Sequence, residues 1–322
     1  MDNITVLVLS DPTDRQLAML ESLPDSTSIA VGDKPEAFER LAPDAQVIFN
    51  WAGGRQLLQQ VWKMAPRVRW VHSRAAGLDG MLFPELVESP VALTNGSGVF
   101  SQSLGEFVIA AALYFAKDFP RMMRSQAAGR WEQFDVEEVR GQTMGIVGYG
   151  DIGRACSQRA HAMGMKVLAL RRRPELSRGD RYVSHVYPFS GLLEMMPQCD
   201  YVVAAAPLTP DTHHLVGEAA ISAMKKTAVV MNVGRGPVVD EEALIRALES
   251  GRIRGAALDV FEHEPLPAGH AFFKFENLLL SPHCADHTSD WLEQAMKFFI
   301  DQFARYAAGQ PLLNVVDKKA GY

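Results

Sequence analysis

Met144-Gly145-Ile146-Val147-Gly148-Tyr149-Gly150-Asp151-Ile152-Gly153 is the stretch on which the reading of this 322-residue chain turns. Met144–Val147 suits a short buried strand, it runs straight into Gly-x-Gly-x-x-Gly, and a helical pattern (Ala155, Arg159, Ala162, Met163) follows. Glycine turns are common, and the motif alone is weak; a strand before it and a helix after it are what make it a dinucleotide fingerprint. Gly148 permits the tight turn, Gly150 lets backbone approach a pyrophosphate, and Gly153 lets the helix sit close to the sheet. The N–H groups of the opening helical turn, at Asp151 and Ile152, face an anion with the positive end of the helix dipole.

Downstream, Val167–Leu170, Tyr201–Ala204, Ala228–Val233, Gly255–Val260 and Leu278–Ser281 read as further strands. With Met144–Val147 they make six, joined by helical segments, which is the doubly wound plan. One of these helices is framed by Asp240 as its cap, an apolar face of Leu244, Ala247 and Leu248, and Gly251 just past its end. Upstream, Ile4–Leu9, Val47–Phe49, Trp70–His72 and Val91–Thr94 read as buried strands of a separate α/β domain. Leu104, Phe107, Val108, Ala111 and Phe115 then mark a strong amphipathic helix. Phe119–Gly141 carries Trp131 and Phe134 without a clear period; it reads equally as an arm that packs on a second subunit and as a solvated loop with aromatic anchors. The segment Asp290–Ala308 reads as one more amphipathic helix, packed back onto the first domain.

Composition sets the outer limits. The chain is 48% hydrophobic and 22% charged, with a formal charge of −6, which suits a globular protein and argues against a nucleic-acid or acidic-membrane partner. No run is long enough to span a bilayer and no basic n-region opens the chain. Cys156, Cys199 and Cys284 form no CxxC pair, so a disulfide framework is not expected and a reducing, cytoplasmic setting is. No metal-ligand spacing stands out.

In the NAD version of the fingerprint, an acid about 20 residues on holds the ribose 2′-hydroxyl. Here the second strand ends in Arg171-Arg172-Arg173. Charge runs are usually solvated turns, but guanidinium forks at this strand tip suit a 2′-phosphate. The expectation is NADP(H) preferred with NAD(H) possible, Arg171 standing where the acid would and Arg172 assisting.

Three more strand ends carry chemistry: Asn232-Val233-Gly234-Arg235-Gly236-Pro237, Leu258-Asp259-Val260-Phe261-Glu262-His263-Glu264-Pro265-Leu266-Pro267, and Ser281-Pro282-His283-Cys284-Ala285. An arginine between glycines has little steric cover, so its fork can reach a carboxylate or a carbonyl oxygen. With the glycine loop, these four motifs in this order resemble the D-isomer-specific 2-hydroxyacid dehydrogenase family, particularly its glyoxylate/hydroxypyruvate reductase members. The resemblance covers nearly the whole chain and is strongest from Gly145 to Ala285.

The resemblance implies a doubly wound Rossmann domain (residues 99–286) inserted in a smaller flavodoxin-like α/β substrate domain (1–98 plus 287–322), and a homodimer. It implies His283 as acid/base, Glu264 as its carboxylate partner and Arg235 as the substrate clamp. Hydride addition builds negative charge on the carbonyl oxygen; an imidazolium can donate a proton there, and a carboxylate on the other ring nitrogen fixes the ring. A lone His in a loop is more often structural, and it is the coincidence of three residues in matching turns that reverses this. His72-Ser73-Arg74-Ala75-Ala76-Gly77-Leu78-Asp79 resembles the family's carboxylate-binding loop, with Ala76 and Gly77 as backbone donors and Arg74 either adding charge or simply exposed. Trp51 either walls the substrate pocket or fills the core. Further cofactor contacts fall at Ala206, Pro207, Thr212, Val233, Gly234 and Asp259, the last at the nicotinamide carboxamide.

Cys284-Ala285-Asp286-His287 departs from the smaller or aliphatic residues usual after the catalytic histidine. The leading reading is reduction of glyoxylate, hydroxypyruvate or a similar 2-keto acid to the D-2-hydroxy acid. A second keeps the fold and oxidises another small anion, and a third is a nucleotide-sensing binding protein without turnover.

Overall fold

The computed structural model describes residues 3–322 and divides the chain into two units, Met1–Phe100 with Ser289–Tyr322, and Ser101–Thr288. The sequence pattern puts the crossings at 98/99 and 286/287. Both units are α/β with parallel sheets.

The first unit holds five strands: β1 (Thr5–Leu9), β2 (Ser28–Gly32), β3 (Val47–Asn50), β4 (Trp70–Ser73) and β5 (Ala92–Thr94). Their order, β2-β1-β3-β4-β5, is the flavodoxin order. β1 and β3 are buried on both faces, which is why they read as continuous apolar runs. Alternate residues serve opposite layers: Leu7, Leu9 and Ile48 pack on Leu58 and Val61 of helix Arg55–Met64, whereas Val6, Val8 and Phe49 pack on Phe299 and Phe303. The latter two belong to helix Trp291–Ala307, so the carboxy-terminal helix completes the first unit as its amphipathic pattern requires. Phe49 and Phe299 stack at 3.7 Å between centroids. β2 gives no strand signal in the sequence because it is an edge strand of half-buried Ser28, Ile29, Ala30 and Val31 with no bulky apolar run.

The second unit holds seven strands: β6 (Thr143–Val147), β7 (Lys166–Leu170), β8 (His185–Tyr187), β9 (Tyr201–Ala204), β10 (Val229–Asn232), β11 (Gly255–Leu258) and β12 (Leu278–Leu280). Their order is β12-β11-β10-β9-β6-β7-β8, so the winding reverses between β6 and β9. That reversal is the switch point where open α/β sheets bind ligands. The expected count of six is corrected to seven: β8 is a three-residue edge strand starting at exposed His185, too short to register as a pattern. Met144, Ile146, Val203 and Met231 face helix Ser101–Ala116 through Leu104, Val108, Ala111 and Phe115. Asp240 caps helix Glu241–Glu249 by accepting from Ala243 N–H at 2.9 Å.

The expected aperiodic stretch after Phe119 is corrected as well. Phe119–Ala127 is a helix capped by Asp118, and irregular chain follows to Gly141. Only Ser125 of this helix is buried, so its apolar residues form no inward stripe for a periodicity to reveal.

One buried group makes the first unit pH-sensitive. His72 has no exposed surface and lies among the rings of Phe49, Trp70, Phe298 and Phe299. Trp70 Nε1 donates to Thr94 Oγ1 at 2.8 Å, and that hydroxyl lies 2.7 Å from His72 Nδ1. The hydroxyl can donate its one proton to Nδ1 or accept from it, and in either tautomer Nε2 has no partner among the described residues. Burial pushes the imidazole down from 6.5 to about 3. The unfolded chain therefore protonates first, and stability held above pH 7 is lost as pH falls through 6.5 toward 3. Between pH 7.5 and 4.5 this contribution falls by about 2.5 kcal/mol. Urea unfolding followed by tryptophan fluorescence at both pH values should show that loss in the wild type and a correspondingly smaller one in His72→Phe. Equal losses in the two proteins would remove His72 as a source of acid sensitivity.

Candidate active site

At the carboxyl end of β6 the three glycines of the fingerprint have different reasons to be glycine. Gly148 has φ +98°, and a Cβ there would press on the Ala206 backbone. A Cβ on Gly153 would collide with the Gly148 carbonyl oxygen. A Cβ on Gly150 would meet nothing within 4 Å, so nothing in the protein requires a glycine there. Gly150 begins helix Asp151–Ala162 with no side-chain cap of its own, so the positive end of the helix dipole lies at the carboxyl end of β6. This is the cradle a pyrophosphate fits.

The neighbouring strand ends fold against the same place. The chain after β9 passes through Ala206 and Pro207, and buried Thr212 shapes that turn by donating to Pro207 O at 2.6 Å and accepting from Thr209 N at 2.8 Å. After β10, Val233 N–H bonds Ala204 O, and Gly234 sits where a Cβ would be 2.7 Å from Ala206 O. Beyond β7, Arg171 is half-buried, with a guanidinium nitrogen 2.6 Å from Ser177 Oγ. Arg172 and Arg173 are exposed, Arg172 within 4.0 Å of Asp211.

Three turns carry the acid–base groups. Arg235 leaves β10 in an extended conformation, and its NH1 donates to Gly234 O at 2.8 Å. Gly236 follows, and a Cβ on it would overlap the Phe261–Glu262 peptide of the next turn. In that turn Glu264 bends back so that Oε1 accepts from Phe261 N–H at 3.0 Å, while Oε2 lies 2.6 Å from His283 Nδ1. His283 has φ +52°, a left-handed backbone that costs a histidine roughly 1–2 kcal/mol. Buried Asp259 holds that turn: its carbonyl accepts from His283 N–H at 2.9 Å, and Oδ1 accepts from Ser281 Oγ (2.6 Å), Cys284 N–H (3.0 Å) and Ala285 N–H (3.0 Å).

Such an arrangement can move a proton. With Nδ1 engaged by a carboxylate, His283 can exchange a proton only through Nε2, which has no partner among the described residues. Its side chain is 44% exposed, so the free nitrogen meets solvent or ligand. Cys284 is exposed, its Sγ 3.6 Å from Ser281 Oγ. Burial raises the Asp286 carboxyl above the usual carboxylate range. Among the described residues no group of three or more His, Cys, Asp and Glu could hold a metal ion.

In the first unit, Ala76 and Gly77 lie in an open loop where Ala76 O accepts from Asn95 Nδ2 at 2.6 Å, and neither of their N–H groups has an acceptor among the described residues. The Arg74 guanidinium lies 4.8 Å from the Trp51 ring centre and 5.3 Å from that of Trp291. Trp51 is 1% exposed, and its indole N–H is bound by Asp14 at 2.7 Å. Sequence reasoning gives Ser281 no role, although it belongs to the quoted Ser-Pro-His turn; the hydroxyl opposite a strand-end aspartate is its signal.

Residues 109–285 match the family described as D-isomer specific 2-hydroxyacid dehydrogenase, NAD binding domain. A glyoxylate reductase of Korarchaeum cryptofilum is 33% identical over 270 residues, covering 81% of this chain and 79% of that protein. Two crystal structures superpose on the whole fold. A D-isomer specific 2-hydroxyacid dehydrogenase from Xanthobacter autotrophicus Py2, in complex with NADPH and MES, has a TM-score of 0.82 at 28% identity and covers 100% of both chains. An NADPH-dependent glyoxylate/hydroxypyruvate reductase from Sinorhizobium meliloti, in complex with NADP and sulfate, has a TM-score of 0.83 at 26% identity, again over 100% of both.

Proposed function

Because the chain belongs to the D-isomer specific 2-hydroxyacid dehydrogenase family, and so is an NAD(P)-dependent oxidoreductase, we propose that it reduces glyoxylate, hydroxypyruvate or a similarly small 2-keto acid to the D-2-hydroxy acid, with NADPH as the preferred cofactor. The observation that carries this reading is the 2.6 Å contact between Glu264 and His283 with Nε2 left open. When bound, the nicotinamide supplies the hydride.

The chain's own residues supply the rest. His283 donates a proton from Nε2 to the carbonyl oxygen as charge develops there, and Glu264 holds the ring in position and stabilises the imidazolium. Arg235, fixed by its glycine neighbours, clamps the substrate carboxylate and polarises the carbonyl. In the first unit, the N–H groups of Ala76 and Gly77 are the proposed donors to a substrate carboxylate, and Arg74, over the Trp51 ring, adds positive charge. Gly148, Gly150, Asp151, Ile152 and Gly153 hold the pyrophosphate, the turns through Ala206, Pro207, Thr212, Val233 and Gly234 line the dinucleotide's path, and Asp259 binds the carboxamide with its second oxygen. All three cysteines are free, consistent with a reducing compartment such as the cytoplasm. Among the described residues, no helix is long and apolar enough to cross a membrane.

A panel of 2-keto acids with NADPH, read as absorbance loss at about 340 nm, where reduced nicotinamide absorbs, tests the reaction. Turnover is expected with glyoxylate or hydroxypyruvate, and His283→Ala should lower kcat by about 10³-fold or more while still binding NADPH. Tight dinucleotide binding without turnover on any keto acid would defeat the reading and favour a sensor.

For the cofactor, no acid stands at the end of β7, where Arg171 and Arg172 offer the 2′-phosphate two guanidinium groups. Arg171→Asp and Arg172→Asp should each reduce the NADPH-to-NADH ratio of kcat/KM by about tenfold or more, the size of one charge-assisted contact. An unchanged ratio in both variants would release these arginines from the role.

The arm from Phe119 to Gly141 is the proposed homodimer contact. Trp131 is 94% exposed and Met123 63%, with Phe119, Met122 and Val136 also exposed nearby in sequence. Exposed apolar groups on this scale mark association surfaces. Sedimentation velocity should give a dimer for the wild type and a shift toward monomer for Trp131→Arg; a monomeric wild type would end this part of the proposal.

A further inference from the structure

Behind the turns that carry Arg235 and Glu264 lies a cluster of charged side chains to which the reaction above gives no part. Glu262 Oε1 is 2.8 Å from His214 Nε2 and accepts, at 3.4 Å, from the backbone N–H of Glu241. In return Glu262 N–H donates to Glu241 Oε1 at 2.6 Å. His214 Nδ1 lies 3.9 Å from Asp240 Oδ2, His213 stacks on the His214 ring at 4.0 Å, and His270 Nε2 lies 3.8 Å from Glu241 Oε2.

From this geometry we infer that His214 and Glu262 are positioning residues, which set the Glu264–His283 pair against the Arg235 turn. The inference rests on the proposed roles of those three residues. Three observations join the cluster to the chemistry. Glu262 is two residues from Glu264, in the same turn, so a tie on one side chain restrains the other. His214, itself left-handed at φ +51°, is stitched to the chain just beyond Arg235: its N–H donates to Pro237 O at 2.7 Å, and the next residues pair as Val216 N–H to Val238 O and Asp240 N–H to Val216 O. Gly236 then presses against the Phe261–Glu262 peptide, so both turns touch through backbone as well as through His214.

An exposed ion pair alone would contribute little to stability, about 0–1 kcal/mol. His214 and Glu262 are each half-buried, at 37% and 27% side-chain exposure, and Glu262 and Glu241 each accept on a side-chain oxygen from the other's backbone N–H. What the pair restricts is movement of the Glu264 turn relative to the Arg235 turn. A displacement near 1 Å at such a site costs about 10²-fold in rate. The pyrophosphate turn at Gly148–Gly153 is separate from the cluster, and the Thr212 turn beside His214 keeps its own hydrogen bonds to Pro207 and Thr209, so loss of the pair should fall mainly on the chemical step.

The test uses the full chain with whichever keto acid the wild type turns over. His214→Ala should lower kcat by about 10-fold to 10²-fold, with the KM for NADPH and its affinity by fluorescence titration within about twofold of wild type. His214→Gln, whose amide N–H group can replace Nε2–H as the donor to Glu262, should recover most of that loss. Glu262→Ala cuts the same tie from the other end; it should match His214→Ala, and the double variant should be no slower than either alone. Wild-type kcat in His214→Ala would overturn the inference. So would a loss in His214→Ala that Gln does not restore, or additive effects in the double variant. A wild type inactive on every keto acid would instead refute the reaction and be recognised before any variant is made.

Discussion

The second unit depends on a steric constraint: its strand-end turns are packed backbone against backbone, with no room for side chains between them. Gly148 and Gly234 both abut Ala206, and Gly236 abuts the Phe261–Glu262 peptide, so the turns after β6, β9, β10 and β11 form one continuous surface. A methyl group at any of these contacts would force the turns apart, which in a well-packed interior costs about 1–3 kcal/mol and shifts backbone. Close packing also lowers the freedom of the residues mounted on it. Arg235 sits between two of these glycines, so its backbone position is inherited from neighbouring turns.

On that surface His283 is held against its own backbone preference. The left-handed backbone of His283 is unfavourable for a histidine, and its persistence requires surroundings that over-determine it. Asp259 supplies them: one buried carboxylate oxygen accepts three hydrogen bonds from the turn while the Asp259 carbonyl takes a fourth from His283 itself. The left-handed step brings the imidazole back to Glu264, across 19 residues of sequence. Strain at His283 and saturation at Asp259 are thus two sides of one local structure.

Much of this architecture is legible in the amino-acid sequence. Residues buried on both faces of a parallel sheet announce themselves as apolar runs, which is why β1, β6 and β9 to β11 can be placed, and Gly148–Gly153 announces its turn by spacing. Edge strands do not: β2 is half-buried and β8 has three residues, so neither presents a run. The helix Phe119–Ala127 buries only Ser125 and so carries no periodic stripe. The pairing of Glu264 with His283 follows from matching motifs in order. By contrast, His214 lies 48 residues from Glu262, and nothing in either local sequence points to the other. Long-range polar pairs of this kind leave no trace in periodicity or propensity, because both depend only on near neighbours. Trp51 shows a different limit. Its residue type fits a pocket wall or a core equally, and only the hydrogen bond to Asp14 and near-complete burial give its position.

The reversal of winding between β6 and β9 divides the carboxyl edge into two halves. On one side, β6, β7 and β8 supply the glycine turn and the arginines after Leu170. On the other, β9 to β12 lead into the turns that carry Arg235, Glu264 and His283. The halves meet at Ala206, where Gly148 from one and Gly234 from the other rest on the same backbone. Charge at the β7 tip can therefore change without disturbing the histidine turn, which is held by Asp259 and Glu264 within the opposite half. The two halves meet through backbone, at contacts where a Cβ on Gly148 or Gly234 would press on the Ala206 backbone.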